Sequence, residues 1–253
     1  MKEYENMTTR YDTLALEFAQ HRRIYPKVLQ AVIRGAKVDA SAKVLDVGCG
    51  TGNYIIALQD STACRCWGVD PSKEMLSWAR SRSKKIHFHQ RAAEKLDFTP
   101  ESFDLVFSVD VIHHLADPKM FYSKAWQVLK AGGRICTVTD SRRIIRHRLL
   151  SIYFPETIKP SLERYPPITQ IKSAMREAGF VGITTETFES CYKLTDIQSY
   201  HDKAYSSLHL ISQKAFQKGI ERMERNLRKG PIHAVCRYLF VWGKKPAGQR
   251  TRG

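Results

Sequence analysis

The residues best suited to chemistry are an acid and three closely spaced glycines in VLDVGCGTGNY, residues 44–54. Asp46 comes two positions before Gly48, and further glycines follow at positions 50 and 52. Glycines after an apolar run let a ligand approach the backbone closely. A dinucleotide-binding loop would read G-x-G-x-x-G, and a nearby carboxylate would repel its pyrophosphate. The pattern therefore predicts a ligand that carries an amino group and lacks a pyrophosphate.

A second acid, Asp70, ends the apolar run CWGVD at residues 66–70. A carboxylate at the end of the second strand of such a unit can accept hydrogen bonds from both hydroxyls of a ribose. Together with Asp46, this acid predicts a ligand that contains a ribose and an amino group.

The elements that must position these acids alternate between strands and helices. The glycines at 132 and 133 are expected to stop a helix that begins at Pro118. Strands separated by helices indicate βαβ units. We therefore predict an α/β fold, Rossmann-like and doubly wound, with a mainly parallel seven-stranded sheet and helical cap insertions. The expected strands are 43–48, 66–70, 85–90, 103–110, 133–140, 180–188 and 236–245, and the expected helices are 12–35 (interrupted near Pro26), 53–59, 72–82, 118–130 and 168–180.

Two later segments interrupt the alternation. Residues 141–165 are basic and contain several prolines, which predicts an inserted loop with short helices. Apolar residues at helical spacing predict one or two helices over 196–228, and Thr195 and Gln198 have the spacing of a capping box. We expect one domain over residues 1–253. Its parts are a cofactor-binding core at 10–140, cap or acceptor-side insertions at 141–165 and 190–230, and a disordered tail at 246–253.

The composition limits the partners. The net charge of +16, from 41 Lys and Arg against 25 Asp and Glu, favours nucleic acid or small carboxylates and phosphates, with mere solubility as the alternative. No apolar run approaches a membrane span and the start lacks a signal-peptide core, so we expect a cytoplasmic protein without a membrane partner. The six cysteines form no C-x-x-C pair, and His87 and His89 have no third ligand, so no metal is expected.

Four motifs in order resemble those of the class I S-adenosylmethionine-dependent methyltransferases. They are VLDVGCGTGNY, GVDPSKEML, SFDLVFSVDVIHHL and VLKAGG. The resemblance covers residues 10–140 and the final strand, and it is closest to the small-molecule, methyltransferase type 11-like group that includes the ubiquinone, menaquinone and trans-aconitate enzymes. It implies S-adenosyl-L-methionine as cofactor and methyl transfer as the reaction.

Matching the motifs position by position implies which residues hold this cofactor. Asp46 corresponds to the acid near the methionine amino group, and Asp70 to the acid that binds the ribose. Arg22 in FAQHRRIYP fits the arginine that meets the methionine carboxylate in many relatives; Arg23 is its rival, and a solvated helix end is the alternative. The other implied contacts are Gly48, Cys49, Gly50, Pro71, Met75, Ala93, Ser108 and Val109.

One stretch departs from the family pattern. Residues 91–98 read RAAEKLDF where the family often has GDAEDLPF, so Ala92 replaces the acid that holds the adenine amino group. Adenine binding is then expected to rest on backbone groups near Ala93 and on apolar contacts such as Met75.

Methyl transfer requires alignment and exclusion of water, and it requires a base only where the acceptor must lose a proton. His113 and His114 follow the fourth strand, where the family has residues that face the acceptor, and histidine suits a base near neutral pH. We predict that His113 is the one that faces the pocket. A structural turn is the alternative, and Asp110 is a rival base.

Three functions stay open. The first is methylation of a small-molecule acceptor, for which the net charge favours an anionic one. The second is methylation of tRNA or another RNA, which the basic charge and DVIHHL permit, although no RNA-binding module is recognisable. The third is a non-catalytic, methyltransferase-like adaptor, supported only by Ala92. A monomer and a homodimer are both compatible with the apolar late helices.

Overall fold

The computed structural model describes residues 24–247. Its strands are β1 (Lys43–Val47), β2 (Arg65–Asp70), β3 (His87–Gln90), β4 (Phe103–Val109), β5 (Leu129–Thr139), β6 (Val181–Leu194) and β7 (Ile232–Lys244). They form one sheet in the order β3–β2–β1–β4–β5–β7–β6. In this sheet β7 alone runs in the opposite direction to the other six strands. The predicted α/β fold with a mainly parallel, seven-stranded sheet is confirmed.

The helices of the described residues fall into those that cover the sheet and those that interrupt it. The covering helices are α1 (Pro26–Ala36), α2 (Asn53–Thr62), α3 (Lys73–Arg82), α4 (Pro118–Val128) and α8 (Ile168–Glu177). The others are α5 (Arg142–His147), α6 (Leu149–Tyr153), α7 (Ile158–Arg164), α9 (Gln198–His201) and α10 (Gln213–Leu227), with short 3-10 helices at 112–114, 155–157 and 206–210. Residues 12–23 of the expected leading helix and the end of the tail lie outside the described residues.

The core has a layer on each face of the sheet because side chains alternate along a strand. On β1, Val44 belongs to the cluster beneath α1, α2 and α3, whereas Leu45 belongs to the cluster beneath α4 and α8. A third cluster joins the two interrupting segments. It contains Leu149, Phe154, Ile197, Phe216, Ile220 and Met223. We call the segments 141–165 and 195–231 together the cap.

The prediction that glycines end the helix from Pro118 is wrong. The helix ends at Val128, and both glycines lie within β5. The reason is pairing with β4: Ser102 N–H donates to the Val128 carbonyl at 2.8 Å, and Leu129 pairs with Phe103. Gly132, with a φ of +80°, forms an irregularity in the strand rather than a helix end.

The predicted capping box at residues 195–198 is also wrong. The Gln198 N–H donates to Asp196 Oδ1 at 3.1 Å, which closes a turn one residue after Thr195. No side chain caps α9, which begins at Gln198. The single long helix of this region is α10, whose first turn is capped by Ser212. Within residues 24–247, no helix has both the length and the hydropathy needed to cross a membrane.

Candidate functional site

The backbone between β1 and α2 forms a turn built on glycine conformations. Gly48, Gly50 and Gly52 have φ angles of +73°, +53° and +79°, a region that side chains disfavour. The N–H groups of Gly48 and Cys49 donate to the Val69 carbonyl at 2.8 and 3.0 Å. The turn is thereby tied to β2, at the carboxyl edge of the sheet and at the N-terminus of α2, a position suited to close contact with a ligand.

Two of these glycines have different surroundings. A Cβ at Gly48 would lie 2.4 Å from Val111 Cγ2, so packing against the segment after β4 excludes a side chain there. A Cβ at Gly50 would meet no described atom within 4 Å. Gly48 therefore keeps two parts of the protein in contact, whereas Gly50 faces space at the surface of the turn.

Asp70 ends β2 with its carboxylate held by the backbone. Its Oδ2 accepts from Gly50 N–H and its Oδ1 from Ser72 N–H, both at 2.9 Å. Ser72 in turn accepts from the N–H of Met75 at 3.1 Å and so begins α3. The Pro71 carbonyl accepts from Gln90 Nε2 at 3.0 Å. Pro71 and Met75 are thus fixed beside an oriented carboxylate.

Asp46 is a buried acid near the end of β1, with a relative exposure of 3%. Within residues 24–247 its carboxylate has no hydrogen bond or ion pair. Burial, and then the negative charge of Asp70, raise the pKa of Asp46 well above its usual range. A buried carboxyl without a countercharge is unfavourable, and a cationic ligand would offset that cost. The residues present therefore fit a ligand with an ammonium group.

The other residues implied for the cofactor lie on the same edge. Ala93 is buried in the turn that follows β3, where Arg91 N–H donates to the Asp70 carbonyl at 3.1 Å. Ser108 and Val109 end β4, and the buried Oγ of Ser108 has no partner among the described residues. Burial raises the pKa of the Cys49 thiol well above its usual range. Arg22, predicted to meet a carboxylate, lies outside the described residues.

The two candidate bases differ in burial. His113 is buried and His114 is half-buried, with their ring centroids 3.9 Å apart. The His113 ring stacks on Tyr165 at 3.9 Å with an interplanar angle of 10°. Asp110, the rival base, has a φ of +57° and donates its N–H to the Val138 carbonyl at 3.0 Å. Asp110, His113 and His114 follow β4 at the carboxyl edge of the sheet, whereas Tyr165 belongs to the cap.

A largely buried ion pair, Arg148 with Asp140, lies beside Tyr165. Arg148 Nη1 donates to Asp140 Oδ2 at 2.8 Å, and its Nη2 donates to the hydroxyls of Ser161 and Ser207 at 2.9 and 3.2 Å. The guanidinium carbon lies 5.8 Å from the ring centroid of Tyr165. The pair therefore joins the end of β5 to both segments of the cap. Sequence reasoning missed Arg148 and Tyr165, because nothing local to either residue marks it.

The histidines on β3 have packing partners. His87 stacks on Trp67 at 5.3 Å, and His89 meets the edge of Phe98 at 5.6 Å. Burial, with a smaller effect of Arg91, lowers the pKa of His89. In the part of the chain that the structure describes, no three His, Cys, Asp or Glu side chains form a group able to hold a metal ion.

The strand order, the single reversed strand and the acid–glycine turn after β1 define the fold of the class I S-adenosylmethionine-dependent methyltransferases. Residues 45–137 match a family model described as a methyltransferase domain. The family resemblance predicted from the four motifs is therefore confirmed.

Known proteins with sequence similarity include the ubiquinone biosynthesis O-methyltransferase of Aliivibrio fischeri strain MJ11. It is 30% identical over 149 residues, which cover 57% of this chain and 63% of that protein. The match thus spans less than two thirds of that relative's length. The same enzyme of Vibrio cholerae strain O395 is 26% identical over 211 residues, 77% of this chain and 85% of that protein.

Solved structures share the fold at lower identity. A putative methyltransferase from an antibiotic biosynthesis pathway of Anabaena variabilis has a TM-score of 0.70 and 21% identity, over 88% of this chain and 98% of that one. Phosphoethanolamine N-methyltransferase 2 of Haemonchus contortus was solved with phosphomonomethylethanolamine and S-adenosylhomocysteine. Its TM-score is 0.64 at 22% identity, over 96% of this chain and 59% of that one.

Proposed function

We propose that this protein is an S-adenosylmethionine-dependent methyltransferase that acts on a small-molecule acceptor. The observation that carries the proposal is the pairing of Asp46, a buried acid with no countercharge among residues 24–247, with Asp70, whose carboxylate two backbone N–H groups orient. The cofactor has an ammonium group for the first acid and ribose hydroxyls for the second. The methyltransferase names of the relatives support the same reaction.

Each residue at the edge of the sheet has a distinct part in holding the cofactor. Asp46 would offset the ammonium charge, Asp70 would accept the ribose hydroxyls, and Gly50 would leave room for close contact. With Ala92 in place of an acid, adenine would rest on the backbone near Ala93 and on the buried Met75. The hydroxyl of Ser108, which has no partner among residues 24–247, is a further donor at this edge.

Methyl transfer requires little acid–base catalysis from the protein. When bound, the cofactor supplies a methyl group on a positively charged sulfur, which leaves as a neutral thioether. The buried His113 would take the proton that an O–H or N–H acceptor loses as its lone pair forms the new bond to carbon. The cap would exclude water and hold the acceptor in line.

We further propose that the acceptor is anionic. The net charge of +16 supports it, and so does a fold relative that was solved with phosphomonomethylethanolamine, a phosphate ester. RNA methylation and a non-catalytic role are the competing outcomes. A cytoplasmic location and a monomeric or homodimeric state stay predictions from the sequence.

Calorimetric titration with S-adenosylmethionine and S-adenosylhomocysteine tests the proposal. We expect micromolar binding that Asp70→Ala abolishes, because the ribose hydroxyls lose their acceptor. Asp60→Ala, which removes an exposed acid from α2, is the matched control and should bind like wild type. Absence of binding to the wild-type protein would overturn the cofactor assignment and favour the adaptor function. Methyl transfer to RNA, and not to acidic small molecules, would favour the second function.

A further inference from the structure

We propose that Tyr165 is a positioning residue for His113, and that Arg148 holds Tyr165 in place from the cap. The inference rests on the proposed methyl transfer, in which His113 takes a proton from the acceptor. It adds that the cap sets the orientation of this base, whereas the base itself lies in the segment after β4.

The backbone leaves the orientation of the His113 ring open. The residue lies in a 3-10 helix of only three residues, and the chain returns to an extended conformation at Leu115. The outer side-chain torsion of histidine has broad minima, so its neighbours decide where the ring nitrogens point. A nearly parallel ring at 3.9 Å restricts tilting of the imidazole out of its plane. Tyr165 is that ring.

Tyr165 is itself fixed by its surroundings. It follows the last residue of α7 and its side chain is buried. Burial raises the pKa of Tyr165 well above its usual range, so the ring carries a neutral phenol at physiological pH. The guanidinium of Arg148 lies beside the ring, at 5.8 Å from its centroid.

Arg148 is fixed by bonds to three separate elements. Asp140 lies just after β5, Ser161 lies in α7, and Ser207 lies in the 3-10 helix at 206–210. Three bonds to one planar guanidinium restrict its rotation, because the fork accepts partners in fixed directions. The orientation of Tyr165, and through it that of His113, thus depends on both segments of the cap being in place.

The residues of this network are distinct from those proposed to hold the cofactor. Loss of Tyr165 should therefore reduce turnover without weakening cofactor binding. A purely structural tyrosine would give another result, because general destabilisation would affect the cofactor site as well.

The test compares Tyr165→Leu, which removes the ring, with Tyr165→Phe, which keeps it. Carbon–proton NMR spectra of protein with labelled histidine report the ring current on His113, with His113→Gln to assign its resonances. Protocatechuate and phosphoethanolamine serve as probe acceptors, representing an acidic phenol and an amine that carries a phosphate. Cofactor affinity is measured by calorimetry for every variant.

In Tyr165→Leu, we expect the His113 resonances to move toward those of an unstacked ring. We expect kcat for a methylated probe to fall roughly 100-fold with unchanged cofactor affinity, as for a misplaced catalytic group. Tyr165→Phe should restore the resonances and most of the rate. Arg148→Lys, which keeps the charge and loses the fork, should shift the resonances partway and serves if Tyr165→Leu fails to fold.

Unchanged His113 resonances in Tyr165→Leu would overturn the proposal, and so would an equal loss of rate in the Phe and Leu variants. The outcome is separable from the proposed function. A wild-type protein that binds no S-adenosylmethionine would refute the function, while the His113 resonances would still show whether Tyr165 stacks on His113 and, through Arg148→Lys, whether the cap holds that stack.

Discussion

At the scale of single residues, Asp46 combines a stability cost with the binding role that we propose for it. Its pKa is raised in the folded state, so the folded protein retains a proton that the unfolded chain releases. Stability therefore falls as the pH rises from the ordinary range of an aspartate toward the folded pKa. A bound ammonium group would remove this cost, which couples cofactor affinity to the charge of this one carboxyl.

The replacement Asp46→Asn should therefore stabilise the free protein at neutral pH by about 1–3 kcal/mol while weakening cofactor binding. Urea unfolding at pH 5 and pH 8 measures the effect, with Asp60→Asn as the exposed control. The wild type should lose stability between the two values relative to Asp46→Asn. An identical pH dependence in both proteins would contradict a raised pKa at this site.

The glycines of the turn should respond differently to the same added methyl group. Gly48→Ala places a Cβ against Val111 and should destabilise the fold, and Val111→Ala should recover the steric part. The backbone part, about 1–2 kcal/mol for a left-handed residue, should remain. Gly50→Ala should show only that backbone part, together with weaker cofactor binding. Denaturant unfolding and calorimetry measure both; equal stability of the two single variants would refute the distinction.

The acids and glycines that we propose for the cofactor site could be selected from the sequence because their spacing along a short stretch marks them. Asp46 lies near the end of β1, Gly48 and Gly50 lie in the turn that follows, and Asp70 ends the next strand. Tyr165 and Arg148 could not be predicted in this way. Their partners are contributed by distant segments, so their roles arise only when the cap packs on the sheet.

At the scale of elements, the junction of α4 and β5 depends on a buried lysine. Lys245 is 5% exposed, and its Nζ donates to the carbonyls of Trp126 and Leu129 at 3.0 and 2.8 Å. The same atom lies 4.0 Å from the centroid of the Trp126 ring. A cation from the end of β7 thus satisfies carbonyls at the end of a helix, as the helix dipole favours.

Lys245→Met should keep the apolar stem and lose these bonds, which lowers the free energy of unfolding by about 2–3 kcal/mol. Lys244→Met changes the exposed last residue of β7, next to Lys245, and should have little effect. Chemical denaturation of both variants checks the difference. Equal stabilities would mean that solvent can replace the lysine at these carbonyls.

This junction also shows why the helix end was predicted at the wrong residue. Two glycines after a helical pattern are a strong local stop signal. Pairing of Leu129 with Phe103 ends the helix earlier, and that pairing is set by the register of the sheet. Alternation along the chain, by contrast, was sufficient to predict the strands and the covering helices.

At the scale of the whole molecule, the cap has an apolar core of its own. Within it, α10 approaches the other cap segment at Gly219, where a Cβ would lie 2.1 Å from the ring of Phe154. Glycine within a helix normally costs about 1 kcal/mol relative to alanine. Here the close approach of the Phe154 ring explains why a glycine occupies position 219.

Gly219→Ala should therefore destabilise the cap instead of stabilising α10, by about 1–3 kcal/mol through overpacking. We expect faster proteolysis within 141–165 and 195–231, reduced turnover and unchanged cofactor affinity. Lys218→Ala, at the exposed neighbouring position, is the control. Cap proteolysis at the wild-type rate in Gly219→Ala would show that Phe154 moves aside at little cost.

The paired ends of β6 and β7 project past the other strands of the sheet. β7 pairs with β5 only as far as Leu239, while the stretch Ile232–Tyr238 pairs with β6 alone, a ribbon of roughly 20 Å at about 3.3 Å per residue. At the tip of this ribbon Leu194 is paired with Ile232. The segment 195–231 therefore begins and ends at one pair of neighbouring residues. A segment inserted between paired neighbours can be exchanged for another without altering the strand register. If residues 195–231 help to select the methyl recipient, as we propose for the cap, evolution could replace them and keep the donor site unchanged.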